Sequence, residues 1–380
     1  MNTGMAAMKL QKDRVKEKCA GSGEIWIENG SKMCDESVQK MGETADFREL
    51  QSLLISILGL DAPDFSDLVS LVKSGNFEKL GEMAGKQILQ WVMGGGLQWQ
   101  EVGGILILVI LLAFMKSMGE AFENSSISLF SGVVIHLLLI ARLISLFQNF
   151  QSLTIDYLQN SLKFLNALFP VLTVTAAAGG SGLTAAGFYL SSISVSSLIQ
   201  RAAIYFMIPF TGVFLVASLL DSIMEEPVFK GVVELIQKAV GFLMKSCMIS
   251  ATGLQVLQLM VLPKADSLKK QALLKTVSLI PGAGKAADSA ATVLWGSSAL
   301  LKSCIGAAGM LCILLIVFVP FFRLLWVSFL YHLLLAVLSP VSDKKICGCL
   351  KAFAVGLENL VKIMFMSAMV SLILIAATAW

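Results

Sequence analysis

Five ionisable side chains lie in or beside long apolar or small-residue runs and are the best placed to do chemistry: Lys245, Lys285, Asp288, Arg323 and His332. Such groups inside a membrane commonly line ion paths or relay protons. Each also has an ordinary alternative. A lysine near a helix end can reach the headgroups, a histidine can bond to a neighbouring helix, and Lys285 and Asp288 have the i, i+3 spacing of a local pair. We therefore treat all five as candidate pore-lining or packing residues.

A proline–glycine break supplies a second kind of candidate. Pro281, Gly282 and Gly284 interrupt an otherwise helical pattern, as broken helices do at the midplane sites of transporters.

Motifs of catalysis and cofactor binding are missing from the sequence. It contains no P-loop, H-E-x-x-H or G-x-S-x-G pattern. Cys347 and Cys349 form a C-x-C pair without the second pair that zinc sites need, and seven cysteines are an odd number for a disulfide framework. The missing motifs argue against an intramembrane enzyme. We therefore expect no enzyme activity, no cofactor and no metal.

Composition indicates an integral membrane protein. Hydrophobic residues make up 56% of the chain and charged residues only 14%, whereas soluble domains are about 25% charged. The net charge of +3 comes without a basic stripe, so nucleic-acid binding is not expected.

The chain divides into three regions by hydropathy. Residues 1–46 are polar and predicted to be disordered; no apolar core follows their basic start, so no signal peptide is expected. Residues 47–96 predict a small soluble region of amphipathic helices, with Ser66 as an N-cap. Residues 97–380 predict the multi-spanning membrane domain.

Within the membrane domain we expect separate crossings joined by short interfacial helices. The predicted crossings are 102–118, 127–147, 201–220 with a kink at Pro209, 239–262 ending at Pro263, 303–322, 324–339 and 357–379. Interfacial amphipathic helices are expected at 151–163, 227–238 and 265–280. Residues 162–199 either cross twice or form a re-entrant hairpin. Lysine-rich segments 264–275 and 341–351 predict cytoplasmic loops joined by two crossings.

Several segments, taken together, resemble the stage III sporulation protein AE family over about residues 47–380. They are residues 65–68 (FSDL), 73–76 (KSGN), 225–226 (EE) with Lys245 downstream, 279–284 (LIPGAG), 299–302 (ALLK), 306–309 (GAAG) and 339–345 (SPVSDKK). The resemblance implies a multi-pass protein of the mother-cell membrane around the forespore. It also implies assembly with other membrane proteins of the same sporulation operon and a forespore membrane partner into a channel or secretion-like complex.

The expected protein is thus an all-α, polytopic membrane helix bundle with a small N-terminal helical region. Its expected function is that of a membrane-embedded channel-complex subunit, with homo-oligomerisation possible. The alternative is a self-contained small-solute permease, since transporters carry comparable helix breaks.

Overall fold

The computed structural model describes residues 47–58, 62–74, 125–176, 182–224, 228–277, 284–339 and 344–379, together with isolated positions between 82 and 114. Side chains are described for most of these positions, but not for 258–277 and 284–299. Within this part of the chain all regular structure is helical. The helices are α1 (Phe47–Leu58), α2 (Phe65–Ser74), α3 (Ser125–Ala176), α4 (Gly182–Ala202), α5 (Ile208–Ile223), α6 (Lys230–Val277), α7 (Gly284–Leu338) and α8 (Lys344–Ala379), with a π-helical turn at Ala203–Met207 between α4 and α5.

Five stretches of helix in the described residues are long and apolar enough to cross a membrane, which confirms the predicted class of fold. They are His136–Thr175, Tyr189–Ile223, Lys230–Leu257, Leu300–Leu338 and Lys344–Thr378. Each has 28 to 40 residues, whereas about 20 suffice to cross a bilayer. The predicted crossing at 102–118 lies almost wholly outside the described residues, as do residues 1–46 and most of 75–124.

Long continuous helices replace the predicted series of short ones. The segments 227–238 and 265–280 are not separate interfacial helices, because from Lys230 to Val277 they belong to α6, which runs through Pro263. The segment 151–163 likewise lies inside α3. Proline removes one backbone hydrogen bond, and apolar packing on both sides of it can outweigh that loss.

The predicted pair of crossings at 303–322 and 324–339 is wrong. Both segments lie in the single 55-residue helix α7, which has Pro320 inside it. The lysine excess of segments 264–275 and 341–351 predicted that both are cytoplasmic, and two crossings between them made that prediction consistent. One continuous helix between the segments removes this consistency. Hydropathy alone could not detect this, since an unbroken apolar run has the same composition as two adjoining crossings.

The final helix, α8, is the centre of the bundle. It packs against α3, α4, α5, α6 and α7, and its most apolar window is 56% buried. Ring contacts fix its direction relative to α7, because Tyr331 meets Phe353 at 4.5 Å and Phe321 meets Phe365 at 6.3 Å. The two helices are therefore antiparallel.

The other helices can be aligned with α8 in the same way. Phe147 of α3 lies 6.3 Å from Phe353, and Ser161 faces Ser371, so α3 runs parallel to α8. Tyr189 of α4 donates to the carbonyl of Thr378, and Gln200, further along α4, donates to Ser371, so α4, and α5 after it, run antiparallel to α8. These pairs place α3, α4, α5 and α7 on a common height scale along α8.

A π-helical turn marks the predicted kink at Pro209. The turn covers Ala203–Met207, and the proline stands at the start of α5. Proline lacks the N–H of a regular helix and crowds the preceding turn, and a π-turn is a common accommodation in a continuous helix. Gln151 of α3 donates to the carbonyl of Ile208 at 3.0 Å, which ties this irregular point to the next helix.

Helices α1 and α2 form a hairpin that packs on α3 and α7. Its inner face is fully buried at Leu50, Leu54, Phe65 and Leu68, which confirms amphipathic helices for these two segments; the rest of the predicted helical region, to residue 96, lies mostly outside the described residues. The predicted N-cap at Ser66 is wrong. Helix α2 begins at Phe65, and Asp64 caps it by accepting from the amide of Ser66 at 3.2 Å.

Candidate functional site

A pocket of about 450 Å³ opens between α3 and α7, with the end of α1 beside it. Helix α3 contributes Asp156, Tyr157 and Asn160, α7 contributes Arg323, and α1 contributes Ile57 and Leu58. The other lining residues are Leu153, Ile316, Val319 and Pro320. The pocket therefore combines an acidic, a basic, an amide and a phenolic group within otherwise apolar walls.

The α3 face of the pocket exists because a polar stretch divides α3 into two apolar halves. Asp156 is exposed and Asn160 half-buried, whereas Tyr157 points into the bundle and is 3% exposed. Thr154, one turn earlier, is fully buried and bonds to the carbonyl of Phe150 at 2.8 Å within its own helix. One helix thus presents polar groups both to the pocket and to the core.

Behind Tyr157 lies a buried polar cluster formed by three helices. Its members come in pairs at i and i+4: Tyr157 and Ser161 on α3, Ser196 and Gln200 on α4, and Ser367 and Ser371 on α8. All six side chains are buried, none exposed by more than 3%. The i, i+4 spacing places both members of each pair on one helical face.

Ser371 is the junction of this polar cluster. Its hydroxyl lies 3.5 Å from that of Ser161, accepts from Gln200 Nε2 at 3.5 Å, and donates to the carbonyl of Ser367 at 2.9 Å. Gln200 Nε2 also lies 3.5 Å from the hydroxyl of Ser196. The bonds between helices are at the long limit for hydrogen bonds, so the cluster is held weakly.

Oε1 of Gln200 makes no hydrogen bond in the described structure. The hydroxyls of Tyr157 and Ser367 lie near each other, but neither makes a hydrogen bond of good geometry. A buried polar group without a partner costs about 1–3 kcal/mol. A cluster of this kind has spare capacity to bind small polar groups or to pair differently in another packing of the helices.

Of the predicted site residues whose side chains the structure describes, one lies at this pocket. Arg323 is half-buried and lines it. Lys245 is exposed on α6. His332 is also exposed, with Nδ1 2.8 Å from the carbonyl of Ser328 one turn earlier. It lies nine residues along α7 from Arg323, or about 14 Å.

The other predicted site residues fall at or beyond the limit of the described structure. Gly284, Lys285 and Asp288 form the first turns of α7, without described side chains, and Pro281 and Gly282 lie outside the described residues. Their proposed roles stay predictions.

Sequence reasoning missed the buried polar cluster. The available signal was the repeated i, i+4 pairing of polar residues inside apolar helices. The sequence analysis considered charged groups as site candidates and did not consider this pairing. Uncharged polar residues such as serine and glutamine are common at ordinary helix–helix contacts, so they did not stand out.

A family comparison decides what kind of protein carries this pocket. The family model described as stage III sporulation protein AE matches residues 63–380, which include α2 to α8 and all six residues of the cluster. The chain belongs to the stage III sporulation protein AE family.

A curated member of the stage III sporulation protein AE family is similar to this chain at low identity. The protein of that name from Bacillus subtilis (strain 168) is 22% identical over 253 residues, which is 66% of this chain and 63% of that protein. The chain thus spans less than two thirds of the relative's length. No solved structure matches the chain significantly. Membership of this family supports a role in sporulation.

Proposed function

We propose that this protein is the membrane-embedded subunit of a channel or secretion-like complex that connects the mother cell with the forespore and is required for endospore formation. It acts in the mother-cell membrane around the forespore, as a binding and structural component rather than an enzyme. Its partners are other membrane proteins of the same operon, a forespore membrane protein and further copies of itself.

The observation that carries this proposal is the match of a sporulation family over the whole described membrane bundle. The five stretches of helix in the described part of the chain that are long and apolar enough to cross a membrane support a membrane location. The buried polar cluster supports a moving or ligand-binding role, because unpaired polar groups inside a bundle lower its stability and are expected where function requires them.

In this proposal the pocket between α3 and α7 binds a polar group of the cargo or of a partner in the complex, and this binding changes the packing of the helices. Tyr157 links the two sites, since it lines the pocket and belongs to the buried polar cluster. A polar group of the cargo or of a partner at Asp156 and Arg323 would offer Tyr157 a hydrogen bond. A small repacking of α3 against α8 would follow.

The proposal is tested by replacing the chromosomal gene in its native host. Deletion should lower the number of heat-resistant spores by several orders of magnitude, and the wild-type gene should restore them. Tyr157→Phe should lower spore numbers at least tenfold at an unchanged level of protein. Tyr205→Phe is the matched control, because Tyr205 is 71% exposed. Normal spores from the deletion strain would refute the proposal.

Purification from sporulating cells distinguishes the channel subunit from the alternative permease. A channel subunit should co-purify with membrane proteins of its operon, and proteoliposomes containing this chain alone should show no solute uptake above that of empty vesicles. Uptake of a defined small solute by the chain alone, without co-purifying partners, would favour the permease.

A further inference from the structure

One exposed line of residues on α6 alternates large apolar side chains with polar ones. Its members are spaced three and four residues apart in turn, which is the heptad pattern of a helix that packs along a second helix. All of them are exposed, and the line is about 32 Å long. We name it the α6 stripe; its members are Leu235, Lys238, Phe242, Lys245, Ile249, Thr252 and Val256.

The apolar members of the α6 stripe are poorly suited to water. Leu235 is 69%, Phe242 71%, Ile249 72% and Val256 50% exposed. In water these side chains would form a contiguous apolar patch, and such patches mark interaction sites. Exposure to water therefore does not account for the stripe.

The lysines of the α6 stripe are equally poorly suited to lipid. Lys245 lies 15 residues from one end of the apolar stretch Lys230–Leu257 and 12 from the other, or about 22 and 18 Å. Lysine reaches the headgroups from near the ends of a membrane helix. Neither Lys238 nor Lys245 forms an ion pair within the described part of the chain.

No position of a water–lipid boundary along α6 satisfies the whole stripe. Lipid around all of it would surround two unpaired charges. A boundary at Lys245 would satisfy the lysines but leave Leu235 and Phe242 in water. A second protein surface, with apolar and charged groups in the same order, satisfies both kinds of residue.

Helix α6 also has space for a second helix along this line. Its most apolar window is 17% buried, against 33% to 56% for the other four candidate spans in the described residues. Gly241 and Gly253 flank the stripe, and in the described structure nothing lies within 4 Å of a Cβ added to either. Small residues let the backbones of two membrane helices approach closely.

We infer that the α6 stripe is the docking site for a membrane helix of a different protein, which carries aspartate or glutamate opposite Lys238 and Lys245. Apolar side chains of that helix cover the apolar members of the stripe. Its two carboxylates, seven residues apart, pair with the two lysines, and such charge pairs also fix the register of the two helices.

Charge argues against a second copy of this chain as the occupant. Copies in one membrane have parallel α6 helices, and a parallel heptad seam places each member opposite its own counterpart. Lys238 would then face Lys238, and Lys245 would face Lys245, which is unfavourable for like charges. The described part of α6 exposes a third lysine, Lys230, and a single acidic residue, Glu234, so the surface as a whole favours an acidic partner.

Site-specific photocross-linking in sporulating cells of the native host tests the inference on the full-length protein. The photoreactive residue p-benzoylphenylalanine replaces Phe242 or Ile249, and the matched control replaces Leu198 of α4, which is 69% exposed. Mass spectrometry should identify a membrane helix of a second protein, with a carboxylate within one turn of the cross-link, in at least tenfold more adduct than from Leu198. Equal adducts from Leu198, adducts only with another copy of this chain or with a helix lacking a carboxylate, or no protein adduct would overturn the inference.

Charge reversal gives a second readout. Lys238→Glu combined with Lys245→Glu should lower the adducts from Ile249 at least tenfold at an unchanged level of protein, whereas Lys238→Arg combined with Lys245→Arg should change them less than twofold. Replacing the two facing carboxylates of the partner by lysine should restore the adducts of the doubly acidic variant. Unchanged adducts in that variant, or no recovery, would contradict the inference.

The inference specifies the chemistry of one partner, and it rests on the proposed function only for the presence of that partner in sporulating cells. Both experiments measure cross-linked protein rather than spores. Normal spores from the deletion strain would refute the sporulation role and leave the adducts unaffected, so the two failures can be told apart.

Discussion

Gly309 is the position where a single methyl group should most clearly disturb the packing between helices. A Cβ at this glycine of α7 would lie 2.5 Å from Cδ2 and 3.3 Å from Cδ1 of Leu168 on α3. Carbon atoms pack favourably at about 3.5–4.0 Å. Leu168 is fully buried, so its side chain has little room to move and the two helices must separate.

The expected magnitude follows from two opposing effects. Overpacking a buried contact costs about 1–3 kcal/mol, and replacing glycine by alanine within a helix gains about 1 kcal/mol. At Gly253 on α6, nothing lies within 4 Å of an added Cβ, so Gly253→Ala should show only the gain. We expect Gly309→Ala to be about 1–3 kcal/mol less stable than Gly253→Ala.

Thermal unfolding of the purified protein in detergent measures this difference. Each kcal/mol corresponds to roughly 2–4 °C in Tm for a domain of 150–250 residues. The decisive comparison repeats Gly309→Ala in a Leu168→Ala background, where the clashing atoms are gone and the substitution should be neutral or stabilising. If Gly309→Ala raised Tm as much as Gly253→Ala does, or had the same effect in both backgrounds, the proposed close contact of α3 and α7 would be refuted.

Three further variants test the packing at other places. Leu54→Ala should weaken docking of the α1–α2 hairpin by about 2–5 kcal/mol and speed its proteolysis, whereas Ile55→Ala, at a 40% exposed position, should not. Gln255→Leu should raise Tm, because both polar atoms of this buried amide lack partners in the described structure and each costs about 1–3 kcal/mol; a lower Tm would contradict this. Gln151→Leu should cost about 0.5–1.5 kcal/mol by losing its bond to the Ile208 carbonyl, and an unchanged Tm would show that the bond contributes nothing.

Much of the architecture could be predicted because it depends on local properties. The helical, membrane-spanning class followed from long apolar runs, whose backbone groups must be satisfied within each helix in lipid. The amphipathic α1–α2 pair and the irregularity at Pro209 followed from side-chain periodicity and from the missing proline N–H.

Helix boundaries were the main failure of prediction, because continuity depends on packing rather than on local composition. Pro263 and Pro320 lie inside long helices although proline disfavours a helix interior. Neighbouring helices can stabilise both sides of such a residue. Sequence reasoning read these prolines, and the polar middle of α3, as ends of elements.

The amino-acid sequence by itself determined that this protein is a helical membrane protein and showed its family resemblance. Both depend on hydropathy and short motifs, which are local properties of the sequence. Only the tertiary structure decided which polar residues meet. Tyr157, Gln200 and Ser371 come from three helices, and nothing local indicates that they share one buried cluster. Their proximity follows from the parallel or antiparallel alignment of each helix with α8, a property that exists only after the whole bundle has packed.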